Sequence, residues 1–136
     1  MALNRIFAGN EKNNRVRVVP SGIVSGAPLL INARPAVAIT DRGDATKSFS
    51  LGGITLSGMP SGGVGLADDE ASLAFDGTYE FAVTGATTAT AQDAVVYITS
   101  GNALTTTASG NTRYGTVDYP KDYHKADGRL PVRIGG

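Results

Sequence analysis

The only histidine in the chain, His124, lies between Tyr123 and Lys125, with Asp122 and Asp127 close by in sequence. An imidazole near carboxylates is raw material for a general base or for a mixed nitrogen and oxygen metal site. The neighbouring sequence completes neither. No nucleophile elbow supplies a serine for the imidazole to activate, and one imidazole with irregularly spaced carboxylates is ordinary in a charged loop. Asp68-Asp69-Glu70 could offer carboxylates to a divalent cation, but it lacks the alternating spacing and central glycine of a calcium loop and reads as a solvated turn. Gly62-Gly63-Val64-Gly65 is not a phosphate loop, because no Lys-Ser/Thr pair follows and no helix opens after it. Arg42-Gly43-Asp44 matches an adhesion tripeptide, yet Asp41-Arg42-Gly43-Asp44 is also common turn chemistry. The chain has no cysteine, so disulfides, thiolate nucleophiles and thiolate metal sites are unavailable. The expectation is a protein that is not an enzyme, with no catalytic, cofactor or metal site.

Nucleic acid is an equally poor fit. Arg15 and Arg17, with Lys12 nearby, could touch phosphates, but 12 basic and 12 acidic residues leave a formal charge of zero and remove the long-range attraction behind non-specific affinity. Tyr97, Tyr114 and Tyr119 could stack bases or sugars, although tyrosines on strands more often pack. Charge is nonetheless segregated along the chain. Residues 1–42 are net positive, 43–94 are net negative through Asp44, Asp68, Asp69, Glu70, Asp76, Glu80 and Asp93, and the remainder is mildly positive. Such a dipolar molecule can orient on a charged partner or on a copy of itself.

The elements that carry these residues read as strands. At 136 residues, with 18 glycines and 7% aromatics, the composition is that of a turn-rich β protein, and the length suits one domain. No apolar run approaches the roughly 20 residues of a membrane helix, and Met1 to Phe7 lacks the apolar core of a signal peptide. Arg15 to Val19 alternates Val16 and Val18 against Arg15 and Arg17, as a half-buried strand does. Leu29-Leu30-Ile31 and Ala36 to Thr40 form a hairpin through Asn32 to Pro35. Ala71 to Phe75 and Thr78 to Val83 flank Asp76-Gly77, the strongest hairpin signal in the chain, with Tyr79, Phe81 and Val83 on one face. Thr84 to Gln92 is an irregular connection. Ala94 to Thr99, a turn at Ser100-Gly101-Asn102, a return at Leu104 to Thr107, a turn at Ala108 to Asn111 and a strand from Thr112 to Tyr119 follow in order. Arg129 to Ile134 closes the chain with Leu130, Val132 and Ile134 inward, and Pro131, which has no N–H, assigns that strand to an edge or interface.

Two ordered sets of motifs carry a family resemblance. One is Ser25-Gly26-Ala27-Pro28, an apolar strand, a turn, then Val37-Ala38-Ile39-Thr40-Asp41. The other is Ala94-Val95-Val96-Tyr97, the Gly101-Asn102 turn, Leu104 to Thr112, Tyr114-Gly115 and the closing strand. Together they resemble the capsid cement, or head decoration, proteins of tailed bacteriophages. The resemblance covers most of the chain outside residues 43–68, which read as an inserted glycine-rich loop or extra hairpin.

Composition and periodicity therefore give an all-β fold, a small β-sandwich or partly closed β-barrel. It is expected to form one capsid-decoration domain over 1–136, with an extended N-terminal arm at 1–14 and the Gly-rich insertion loop at 43–68. The resemblance implies a structural virion protein that is made in the host cytoplasm and binds the outer surface of a phage head. There it would stabilise the capsid against internal DNA pressure, with the major capsid protein as partner and a homotrimer as its assembly. Neither a nucleic acid nor a membrane is expected as partner. The capsid-binding residues are expected in the arm, at Leu3, Asn4, Arg5, Ile6 and Phe7, although the same stretch also reads as an ordinary first strand. The competing reading is a non-enzymatic receptor- or carbohydrate-binding module of a phage tail or fibre.

Overall fold

The computed structural model describes residues 4–9, 14–43, 48–51, 54–57 and 69–135, with the backbone alone for 48–51 and 54–57. The described chain is all-β: no helix interrupts it. Five strands close a barrel: β8 (Gly77–Thr84), β9 (Val95–Ile98), β10 (Leu104–Thr105), β11 (Thr112–Val117) and β12 (Arg129–Ile134). Their order is β8-β10-β9-β11-β12, and β12 returns to β8 in an antiparallel ladder from Arg129↔Ala82 to Ile134↔Gly77. β1 (Arg5–Ala8) adds to β8 beside β10, pairing Arg5 with Tyr79 and Phe7 with Thr78.

A second antiparallel sheet has the order β2-β7-β4-β3, built from β2 (Arg15–Val18), β3 (Pro28–Ile31), β4 (Arg34–Ala38) and β7 (Glu70–Ala74). Among the described residues, β5 (Ser48–Leu51) and β6 (Ile54–Ser57) pair only with each other, an antiparallel pair within the 43–68 stretch.

Alternation decides which side chains fill the interior. Tyr79, Phe81 and Val83 point into the barrel, where Val96, Ile98, Tyr114, Leu130, Val132 and Ile134 meet them. The rings of Phe81 and Tyr114 meet edge to face at 5.9 Å. Val37 and Ala74, from one face of the second sheet, join the same core. The other face of that sheet, with Leu29, Ala36, Ala38 and Leu73, forms a second core with Val19, Ile23 and Phe75.

Four sequence expectations need correcting. Asp76-Gly77 is not a hairpin turn: β7 and β8 belong to different sheets, and the chain crosses between them at Phe75-Asp76. Gly77, at φ 107°, is needed there because a Cβ would meet the Phe7 carbonyl oxygen at 2.7 Å. Pro131 does not mark an edge, since β12 lies between β8 and β11. Its ladder with β11 has only two pairs, Thr116↔Arg133 and Val117↔Val132, and Pro131 follows them, accepting from the Asp118 N–H where no further donor is required. The β3–β4 turn is tighter than expected: Asn32 and Ala33 take φ of 50° and 67°, and Pro35 already lies in the strand opposite Leu30.

The fourth concerns β2, whose residues are all exposed, so Val16 and Val18 are not half-buried. Val19 explains why. It is buried in the second core, and strand alternation then puts Arg17 and Arg15 on the same face as Val19 and turns Val16 and Val18 to the other. The register agrees, placing Arg17 opposite Ala71 and Val16 opposite Ser72.

Candidate functional site

The expected capsid-binding stretch is divided between interior and surface. Leu3 lies outside the described residues. Asn4 is tied into its own chain: its Nδ2 donates to the Gly26 and Glu80 carbonyl oxygens at 3.2 and 2.9 Å, and its carbonyl oxygen accepts from the Glu80 N–H at 2.9 Å. Arg5 pairs with Tyr79 across the ladder, and Ile6 is half-buried. Phe7 is 50% exposed on a strand whose outer edge carries no other described strand. Residues 5–8 thus form a strand of the protein's own sheet, with one apolar ring presented outward.

β2 forms a second outward edge. The Val19 N–H donates to the Asp69 carbonyl oxygen at 2.8 Å, so the odd-numbered residues of this strand face β7. Val16 and Val18 then direct their backbone N–H and C=O groups away from the sheet. Arg15 Nη1 donates to the Asn14 carbonyl oxygen at 2.7 Å, and Arg17 Nη1 to the Val16 carbonyl oxygen at 3.2 Å. Each arginine folds back over a backbone carbonyl. Val16 and Val18 themselves are 44% and 68% exposed.

The side chains with catalytic potential are not brought together. His124 is exposed, and Asp127 Oδ1 instead accepts from the Thr88 N–H at 3.1 Å. Among the described residues no group of three or more His, Asp or Glu side chains could hold a metal ion. Of the acidic run, Asp68 lies outside the described residues, Asp69 pairs with the Arg42 guanidinium, and Glu70 begins β7. Arg42 also donates through Nε to the Val19 carbonyl oxygen at 3.1 Å, and Gly43 is buried against Asp69 and Glu70, so the first two residues of the adhesion tripeptide serve the fold. Asp44, Lys12 and the Gly62–Gly65 cluster lie outside the described residues.

The tyrosines proposed for stacking are also engaged. Tyr114 is buried, and its hydroxyl donates to the Ala36 carbonyl oxygen at 2.7 Å. Burial, reinforced by Tyr79, pushes its pKa well above that of an ordinary phenol. Tyr97 is half-buried opposite Arg113. Tyr119 donates to the Thr90 carbonyl oxygen at 2.8 Å, and Lys125 Nζ sits 4.4 Å from its ring centroid. Tyr123 donates to Glu80 Oε2 at 2.7 Å, while Arg129 Nε donates to Oε1 at 3.0 Å. Burial first, and then its bond to the Glu80 carboxylate, raise the Tyr123 pKa. These contacts pin the loop between β11 and β12 to the outside of the barrel.

No family model, curated protein or solved structure matches this chain. A functional reading therefore has to come from its surface. A groove of about 930 Å³ lies beside β8, lined by Asn4, Gly26, Leu104 and Arg129 among others. In it Glu80 is held by Tyr123 and Arg129, and Asn4 Nδ2 holds two carbonyls, while Asn4 Oδ1 is buried without a hydrogen-bond partner among the described residues. Sequence reasoning missed the open β2 edge. The usable signal was Val19, which breaks the Arg-Val alternation and fixes which face turns inward.

Proposed function

We propose that the protein is a non-enzymatic structural component that decorates the outer surface of a bacteriophage head and stabilises it. One observation carries this reading: large exposed apolar side chains stand on outer strands, Phe7 on β1 and Val16 and Val18 on β2. Such edges suit pairing with another protein's backbone, as in strand addition, better than they suit enclosing a small molecule. The ordered motifs shared with the cement proteins supply the choice of partner, the major capsid protein, and of assembly, a homotrimer. Packaged DNA pushes outward on a thin shell. A trimer that straddles several shell subunits holds them by avidity, because each arm that engages raises the effective concentration of the others.

In this reading the β1 edge, with Ile6 and Phe7, lies against the shell, while Asn4 keeps the strand anchored to β8. The test is to strip the protein from purified heads and add it back. Heads carrying it should withstand a higher temperature before releasing DNA, and Phe7→Asp should rebind at lower occupancy while remaining folded. Purified virions that lack the protein, or stripped heads as heat-resistant as intact ones, would overturn the proposal.

A further inference from the structure

An edge strand that exposes backbone hydrogen-bonding groups and two valines is a hazard unless something covers it or guards it. On β2 the guard is visible. The arginines at 15 and 17 place their guanidinium groups on the carbonyls of Asn14 and Val16, occupying acceptors that an incoming strand would use. The valines on the opposite face are left exposed. We propose that the β2 edge is a guarded acceptor for one extended segment of a partner protein that alternates acidic and apolar residues.

The pairing follows from charge and register. A carboxylate arriving beside Arg17 offers its guanidinium a charge-assisted, two-pronged partner that is stronger than the neutral Val16 carbonyl. Once drawn off, the guanidinium uncovers the carbonyl for the N–H of the incoming strand. Residues alternating with the acids then lie on the other face, over Val16 and Val18. A neutral strand would have to displace the guanidinium groups without replacing their bonds, and a basic one would meet like charge.

A second copy of β2 does not meet this requirement. Only Val16 and Val18 turn backbone groups outward, so an antiparallel self-pair matches even-numbered residues with even and odd with odd, bringing arginines together on one face and supplying no acid to release the guard. The inference concerns any protein partner, and its test is independent of the experiment on heads.

The test uses the full-length chain, labelled for backbone amide spectra, and three capped hexapeptides: alternating Val and Glu, alternating Val and Lys, and the Val-Glu peptide N-methylated at alternate residues. The Val-Glu peptide should shift the amides of Val16 and Val18 and bind about tenfold more tightly than either control. Its affinity should fall as salt is raised from about 0.05 M to about 0.5 M. Arg17→Glu should reverse the preference between the Glu and Lys peptides, and this exposed position leaves the fold intact. Equal binding of the Glu and Lys peptides, shifts confined to other strands, no response at millimolar peptide, or self-association through β2 in the absence of peptide would each overturn the proposal.

Discussion

The hydroxyl of Tyr114, in the barrel strand β11, donates to the carbonyl oxygen of Ala36, in strand β4 of the second sheet, at 2.7 Å across a separation of 78 residues. This bond links the two sheets through the middle of their shared core. Tyr114→Phe keeps the ring against Phe81 but leaves a buried carbonyl without that donor. It should cost about 1–3 kcal/mol, read as a lower midpoint in urea with an unchanged slope. An unchanged midpoint would show that Ala36 is satisfied in another way.

The same burial makes the protein sensitive to alkali. Below the pKa of an unfolded tyrosine, about 10, the folded and unfolded chains carry the same phenolic protons, and this contribution does not vary with pH. Above it the unfolded chain releases its protons first, while Tyr114 and Tyr123, whose pKa values are raised, keep theirs. Stability should therefore hold up to about pH 9 and decline beyond about pH 10. Following phenolate absorbance and circular dichroism together checks this, because the late-titrating tyrosines should ionise as the fold is lost.

Much of the barrel is legible in local sequence. Tyr79, Phe81 and Val83, and again Leu130, Val132 and Ile134, alternate cleanly, and all six are buried. The turns around Ser100-Gly101-Asn102 and Ala108 to Asn111 also lie where their residues place them. Sheet membership is another matter. Asp76-Gly77 has the composition of a tight hairpin, yet β7 finds its partners in β2 and β4 and β8 finds its own in β12, so long-range pairing overrides the local signal. The β2 surface is ambiguous for a related reason. Alternation says that two faces differ but not which one is inward, and only Val19 resolves it.

Gly115 reveals how closely the barrel seam is packed. A Cβ at this position would lie 2.4 Å from the Arg133 carbonyl oxygen and 2.9 Å from Val132 Cγ1, at the short β11–β12 ladder. Gly110, in the preceding turn, faces open space and is disfavoured for other residues only by its φ of 74°. Gly110→Ala should therefore cost about 1 kcal/mol, the strain of a left-handed backbone. Gly115→Ala should cost more, about 3 kcal/mol, because backbone must move. Thermal unfolding of the two variants side by side measures the difference, and equal losses would mean that the seam yields easily.

Glu80 is the clasp between barrel and loop, and its two oxygens have separate duties. Oε1 accepts from Arg129 through Nε at 3.0 Å and Nη2 at 2.9 Å, and Oε2 accepts from Tyr123 at 2.7 Å. In Glu80→Gln the amide oxygen can keep Arg129 while the amide nitrogen donates to the Tyr123 hydroxyl, so the tyrosine exchanges a charge-assisted bond for a weaker neutral one and the negative charge disappears. The Arg129 side chain is largely exposed, so global stability should fall by no more than about 1 kcal/mol. The local effect should be larger. Residues 121–128 should exchange their amide protons faster, since the Tyr123 bond fastens that loop to β8. The Tyr123 pKa should move down toward the ordinary phenol value while remaining above it, because burial, the leading cause of its shift, persists when the carboxylate is gone. Wild-type exchange rates together with an unmoved Tyr123 titration would show that the loop is held by the Tyr119 contacts instead.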